Sequence, residues 1–247
     1  MKTIAIYNNK GGVGKTTSTI NIAHRLSNIN NQRVLVIDCD GQQNASKFFV
    51  DTLSECGFEN ALLNGDEINP IPTRYKSIDV VISTANMNFT AQQFAQLDES
   101  IQFNNLKKII SSLRAKPYDY VLLDLPPALN NLTEKILGIS DGVIVPIELG
   151  TFAIQGIANV TNVINSVGSS FIGCFVSKYD KKNSADEKLL EMLKQSLGTK
   201  VFESYIPYSK VIKNSITYRM TAFEYMQWTG AVKSYKQLTK ELIGRIN

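Results

Sequence analysis

The stretch Lys10-Gly11-Gly12-Val13-Gly14-Lys15-Thr16-Thr17 follows a short apolar run, Thr3-Ile4-Ala5-Ile6-Tyr7, and opens a segment of helical periodicity. A glycine-rich turn between a strand and a helix is the setting a phosphate-binding loop needs. Glycines let the backbone turn tightly and aim successive N–H groups at phosphate oxygens, while the following helix presents the positive end of its dipole. Gly11, Gly12, Val13, Gly14 and Thr17 supply the cradle, Lys15 lies along the β- and γ-phosphates, and the Thr16 hydroxyl is placed to ligate Mg²⁺. The ordinary pattern has glycine five residues before the Gly14-Lys15 pair. Here Asn9 stands there and a second lysine, Lys10, comes next. Lys15 and the loop amides already surround the phosphates of their own site, so Lys10 is expected to reach across a dimer interface.

Downstream of this loop, short apolar runs alternate with longer helical patterns, as in parallel strands joined by crossover helices. Strands are expected over residues 3–7, 33–38, 78–83, 118–124, 142–147 and 171–177, and helices over 16–28, 89–96, 103–115, 153–167, 185–197 and 231–246. Val34-Leu35-Val36-Ile37 and Val121-Leu122-Leu123 are apolar at every position, the mark of strands covered on both faces. The expected fold is α/β, doubly wound, with a mostly parallel central sheet and helices on both faces. No Pro/Gly/Ser-rich linker divides the chain, so residues 1–247 read as one domain. Residues 51–76, with Asn64-Gly65-Asp66 and Pro70-Ile71-Pro72, read as an irregular excursion.

Two acidic segments end strands of this sheet. In an open parallel sheet the ligand lies beyond the carboxyl ends of the strands, so Asp38-Cys39-Asp40-Gly41-Gln42-Gln43-Asn44 should face the phosphates. Asp40 is the better candidate to orient an attacking water; Asp38 holds Mg²⁺ through water or braces the phosphate loop. Tyr118-Asp119-Tyr120-Val121-Leu122-Leu123-Asp124-Leu125-Pro126-Pro127 has the Walker B form, and Asp124 should reach the Mg²⁺ sphere through a water. The bland readings are a turn or helix cap for Asp40 and a helix cap for Asp124.

Composition narrows the class. The hydrophobic fraction is 43%, the charged fraction 19% and the net charge +4, ordinary for a globular protein and too mildly basic to argue for nucleic acid alone. Cys39, Cys56 and Cys174 are widely spaced with no CxxC pair, which fits a reducing cytosol and argues against a metal set. No apolar stretch is long enough to span a bilayer. His24 reads as packing or surface, and Trp228, Phe223 and Tyr225 as core, with adaptor docking the alternative.

The three motifs, in this order, resemble those of the deviant Walker A ATPases, and most of all the ParA family of DNA-partitioning ATPases. KGGVGKTT stands unaltered at residues 10–17, Gly41 replaces the family's proline in the second motif, and the third matches residues 118–127. Ser140-Asp141-Gly142-Val143-Ile144-Val145-Pro146, Phe152 and Gly156 extend the likeness. The resemblance implies ATP and Mg²⁺ as cofactors and an ATP-bound homodimer in which Lys10 enters the partner's site. It implies nonspecific binding to double-stranded DNA, hydrolysis stimulated by a ParB-type adaptor, and a cytoplasmic, nucleoid-associated protein of plasmid or chromosome segregation. Pro207 falls at a family landmark near the nucleotide base. Basic residues of the C-terminal region imply DNA contacts at Lys210, Lys213, Arg219, Lys233 and Lys236. A solvated helix face is the plain alternative for Lys233, Lys236 and Lys240. The first strand begins at residue 3, so the likeness is to short members without an N-terminal helix-turn-helix.

Other members of the superfamily compete. A MinD-like ATPase positioning a cargo at the membrane or another large assembly would use an amphipathic C-terminal helix, and Val232, Tyr235, Leu238, Leu242 and Ile246 form such a stripe. Packing on the chain's own sheet would give the same stripe. An iron–sulfur ATPase lacks paired cysteines here, and a tyrosine kinase would carry a C-terminal tyrosine cluster. A nucleotide switch with negligible turnover is the non-enzymatic reading.

Overall fold

The computed structural model describes residues 1–29, 31–53 and 58–246; Cys56 lies outside them. The strands are β1 (Lys2–Ile6), β2 (Val34–Asp38), β3 (Ile71–Pro72), β4 (Ile78–Val81), β5 (Tyr120–Asp124), β6 (Gly142–Glu148) and β7 (Phe171–Ser177). They form one sheet in the order β3-β4-β2-β5-β1-β6-β7. β3 runs antiparallel to β4, and the other pairings are parallel. Proline removes a backbone donor, and Pro72 sits on the edge strand, where a missing donor breaks no central ladder.

Strand periodicity divides the side chains between two cores. Ile4, Ile6, Val34, Val36 and Leu122 face one side with Ile20, Ile22, Tyr235, Leu238 and Leu242. Ala5, Tyr7, Leu35, Ile37, Val121 and Leu123 face the other with Phe94, Leu106, Ile136, Val160 and Leu193. The first side is covered by α1 (Lys15–Ser27) and α11 (Gly230–Ile246), the second by α4 (Met87–Gln96), α5 (Glu99–Arg114), α6 (Asn131–Ile139), α7 (Ala153–Ser166) and α8 (Ser184–Leu197). The doubly wound arrangement follows from strands that are apolar on every position, since each needs helices on both sides.

The remaining helices are α2 (Asn44–Phe49), α3 (Phe58–Asn64), α9 (Lys210–Thr217) and α10 (Ala222–Tyr225). The excursion over residues 51–76 is more regular than its turn residues suggest, because it contains α3 and β3. Asn105 of α5 donates from Nδ2 to the carbonyls of Leu62 and Leu63 at 2.9 and 3.2 Å. A neighbour distant in sequence thus satisfies the end of a helix too short to hold itself. The helices expected from the sequence omit α6, although its N-cap Asn130, which accepts from the Thr133 amide, marks the start.

Candidate functional site

The glycine-rich loop joins β1 to α1. Gly12 and Gly14 have φ of 75° and 90°, backbone that side chains rarely adopt, so glycine is required there for conformational reasons. The loop is pinned from three sides. Ser177, at the end of β7, donates to the Val13 carbonyl at 2.6 Å. Asn8 donates to the Pro146 carbonyl at 2.8 Å and accepts from the Lys10 amide at 2.9 Å. Lys15 Nζ donates to the carbonyls of Asn8 and Lys10 at 3.0 and 3.2 Å. Burial pulls the Lys15 pKa down, and the carboxylates of Asp124 and Asp40 oppose that.

Strand register brings the acids to the same place. Asp124 is the register partner of both Ile6 and Asp38, so it lies between the ends of β1 and β2 with the Asp38 carboxylate on the neighbouring strand. Asp124 is 1% exposed; its Oδ1 accepts from Thr19 at 3.3 Å, while Oδ2 has no hydrogen-bond partner among the described residues. Burial, then the charge of Asp38, raises its pKa to about 8 against the pull of the Thr16 hydroxyl and Lys15. A buried, unpartnered carboxylate oxygen costs free energy unless something binds it. The surplus of buried acid and the open oxygen beside Thr16 fit a hydrated divalent cation. Among the described residues no three His, Cys, Asp or Glu side chains form a ready-made cage, so phosphate oxygens would have to complete its shell.

Asp38 is differently engaged. Its Oδ2 accepts from the Ser46 amide and hydroxyl at 2.8 and 2.7 Å, and Oδ1 accepts from the Asp40 amide at 3.0 Å. It braces the turn after β2 rather than the phosphate loop, and leaves Asp124 with the open oxygen. Burial raises its pKa despite these bonds.

Asp40 sits on that turn, half-buried. Ser83, just beyond β4, donates to the Asp40 carbonyl at 2.6 Å, and its amide donates to Ser46 Oγ at 3.1 Å. Gln43, with φ of 59°, donates to the Ser83 carbonyl at 2.9 Å. Ser46 and Ser83 therefore hold the turn that the Gly41 substitution would otherwise loosen. The Ser83 contribution had no signal in the sequence because it comes from a separate strand.

The loop and the turn enclose a cleft of about 500 Å³ lined by Gly11, Gly12, Gly14, Lys15, Thr16, Thr17, Asp40, Gln42, Asn44, Asn88 and Pro126–Ala128. Lys10 is absent from that lining. It borders a separate hollow of about 300 Å³ with Asn9, Val13, Glu148, Phe152 and Gly156, and Phe152 is 76% exposed. The two lysines of the motif thus border different hollows.

In the C-terminal part, Pro207 pairs with Tyr179 beyond the end of β7, on the strand-end side where Ser177 meets the loop. Lys210, Lys213, Lys233 and Lys236 are exposed and make no ion pair among the described residues. Arg219 departs from the DNA-contact expectation. Its guanidinium donates to Asp51 and to the Val50 carbonyl, both at 2.7 Å, so it ties α9 to the segment after α2. Trp228 departs from core packing: it is 93% exposed, whereas Phe223 is buried. His24 stacks on Phe223 at 5.1 Å and meets Tyr75 edge-on at 5.4 Å. The apolar stripe of α11 is spent inside, with Val232, Tyr235, Leu238 and Leu242 all at 2% exposure or less. No helix among the described residues is long and apolar enough to cross a membrane.

Residues 1–172 match the family model AAA_31, an AAA domain, which takes in the phosphate loop and both acidic motifs. The chain belongs to the ParA family of ATPases. It is 28% identical to the chromosome partitioning protein ParA of Caulobacter vibrioides, covering 99% of this chain and 95% of the relative. A plasmid partition protein of Borrelia burgdorferi B31 bound to AMPPNP superposes with a TM-score of 0.84 at 22% identity, covering 99% of both chains. McdA of Cyanothece in complex with ATP gives a TM-score of 0.84 at 19% identity, covering 99% of this chain and 96% of that one. These structures share the fold of this ParA-family chain.

Proposed function

We propose that residues 1–247 form one ATPase domain that acts in DNA partitioning, dimerising with ATP and Mg²⁺ and binding double-stranded DNA without sequence preference. The observation that carries this reading is the division of the two lysines, with Lys15 in the phosphate cleft and Lys10 in the neighbouring hollow beside exposed Phe152. Lys10 borders a different hollow from the phosphate cleft, which supports a role in completing a second subunit's site. Thr16 and Asp124 Oδ2 would hold Mg²⁺, with Asp38 fixing the turn beside them, and Pro207 would lie near the base. When bound, the ion draws charge from the β- and γ-phosphates. Asp40, held by Ser83 and the Asp38 brace, orients water for in-line attack on the γ-phosphate. Lys15 and the partner's lysine neutralise charge developing at the bond that breaks. Turnover is slow until a ParB-type adaptor stimulates it, and the DNA-bound dimer is nucleoid-associated in the cytoplasm.

Burial of the α11 stripe favours this reading over MinD-like membrane attachment, because the apolar face such attachment requires already packs on α1 and the sheet. ATP hydrolysis and binding to a random-sequence duplex, measured together for wild type and Lys10→Ala with ATP and with ADP, test the proposal. ATP-dependent, salt-sensitive DNA binding that Lys10→Ala abolishes is the expected result. Hydrolysis with no DNA binding in any nucleotide state would overturn partitioning in favour of another cargo.

A further inference from the structure

A hollow of about 630 Å³ opens between α3, α4 and the turn after β2, bordered by Gln43, Glu59, Asn60, Asn86, Phe89 and Gln93 among others. None of its lining residues borders the phosphate cleft. Glu59 is the only charged residue among the described residues that line it, and it is 8% exposed. Its Oε1 accepts from the Thr84 amide and hydroxyl at 2.7 and 2.6 Å, whereas Oε2 is buried with no hydrogen-bond partner among the described residues. A buried carboxylate oxygen left in this state costs free energy until a donor reaches it. The lining supplies no cation, so an occupant would have to bring one.

The walls of the hollow are tied to the turn that carries Asp40. Gln43 borders the hollow and donates to the Ser83 carbonyl at 2.9 Å, and Ser83 Oγ donates to the Asp40 carbonyl at 2.6 Å. Thr84, held twice by Glu59, is the next residue along the chain. A Cβ added at Gly41 would stand 3.8 Å from the Thr84 carbonyl and 3.6 Å from that of Ala85, so the turn rests directly on this segment. Glu59, Thr84, Ser83 and Asp40 thus form one hydrogen-bonded and covalent path from the hollow to the edge of the phosphate cleft.

We propose that this hollow receives an arginine side chain of a partner protein, whose guanidinium pairs with Glu59 and whose presence fixes the Asp40 turn. Arginine fits better than lysine because its planar fork meets a carboxylate with two parallel donors and stacks on an aromatic ring. Phe89, 60% exposed, borders the same hollow and offers that ring. The hollow is much larger than one guanidinium. Asn60, Asn86 and Gln93 are exposed around it, and their side-chain amides make no hydrogen bond among the described residues. Each has donors and an acceptor, which suits the backbone of a peptide carrying the arginine rather than a free amino acid. An arginine held here touches no phosphate, so stimulated turnover gains an entry point outside the cleft. The pocket stands on this geometry; its effect on turnover rests on the reading of Asp40 as the residue that orients water.

The test titrates the isotope-labelled full chain with N-acetyl-arginine amide and, in parallel, with N-acetyl-citrulline amide, which has nearly the same shape and no charge, following backbone amide resonances. Saturable shifts at residues 43, 59–63 and 84–93 are expected with the arginine probe and not with citrulline. Glu59→Gln should weaken them by about tenfold, the scale of a hydrogen bond to a charged group. Phe89→Ala, which should melt with wild type because the ring is mostly exposed, should weaken them by a smaller factor and keeps the test open if Glu59→Gln folds poorly. Phosphate release at saturating ATP should rise along the arginine isotherm with KM unchanged, a response that a purely structural Glu59 would not give. Equal shifts with citrulline, no saturable shift, or undiminished shifts in folded Glu59→Gln overturn the site. Shifts centred on Lys15 and Asp124 assign the probe to the phosphate cleft, and shifts that follow protein concentration alone assign the hollow to a second copy; either overturns it. Arginine-specific shifts with unaltered turnover keep the site and overturn its link to Asp40. No ATP hydrolysis under any condition, with those shifts intact, overturns the ATPase reading and leaves the site standing.

Discussion

The phosphate end of the sheet and the lysine face of residues 210–246 are built on opposite principles. At the phosphate end, Lys15, Asp38 and Asp124 are at most 8% exposed, and each is positioned by hydrogen bonds to neighbouring loop, turn or helix atoms. On the lysine face the charges are exposed and make no ion pair among the described residues. Interactions in a buried, low-dielectric site are strong and depend on geometry, whereas exposed charges act together through a screened field. Single substitutions should therefore be severe at the first and graded at the second.

The sharpest way to break this contrast is Asp40→Asn. It keeps the size of the side chain but loses the carboxylate that orients the attacking water, so phosphate release from ATP should fall roughly 100- to 10,000-fold, with nucleotide affinity nearly unchanged. Comparable turnover in the variant would remove Asp40 from the chemistry. Ser46→Ala tests the brace beneath it. Asp38 loses one donor and the Ser83 amide loses its acceptor, at a cost of about 1–3 kcal/mol in urea unfolding, together with slower hydrolysis because the Asp40 turn is released. On the other face, Lys233→Ala should weaken duplex binding equally across sequences and lower the salt slope by about one. A steep, sequence-dependent loss would contradict the diffuse-charge account.

The smallest effect concerns His24, the only histidine. Burial holds its pKa below the ordinary 6.5, so the folded state binds its proton less readily than the unfolded chain. Its contribution to stability is complete above pH 6.5 and is lost as pH falls through that value toward the folded pKa. The melting temperature should decline on acidification through that window, and His24→Gln should flatten that part of the profile. An unchanged slope in the variant would assign the acid sensitivity to other groups.

Local pattern was enough to read the central strands, the larger helices and the phosphate loop. The strands are apolar at every position, and the loop has a glycine spacing that only a left-handed turn explains. It was not enough for α3, which depends on Asn105 for its carbonyls, or for the Ser83 support of Asp40, which comes from another strand. Basic character suggested Arg219 as a DNA contact, yet its guanidinium is held by Asp51 and Val50; aromatic character suggested Trp228 as core, yet it faces solvent. Composition gives a side chain's chemistry without saying which partner reaches it first.

By itself the sequence determined the α/β class, the glycine-rich loop with its two lysines, and the order of the acidic motifs, because these depend on residues near one another in the chain. Only the tertiary structure decided that Asp124 keeps an open oxygen while Asp38 serves as a brace, that Lys10 and Lys15 border different hollows, and that the α11 stripe is buried beneath an exposed lysine face. Those outcomes follow from strand register and helix packing, which bring together groups more than a hundred residues apart and settle which charges remain free to act.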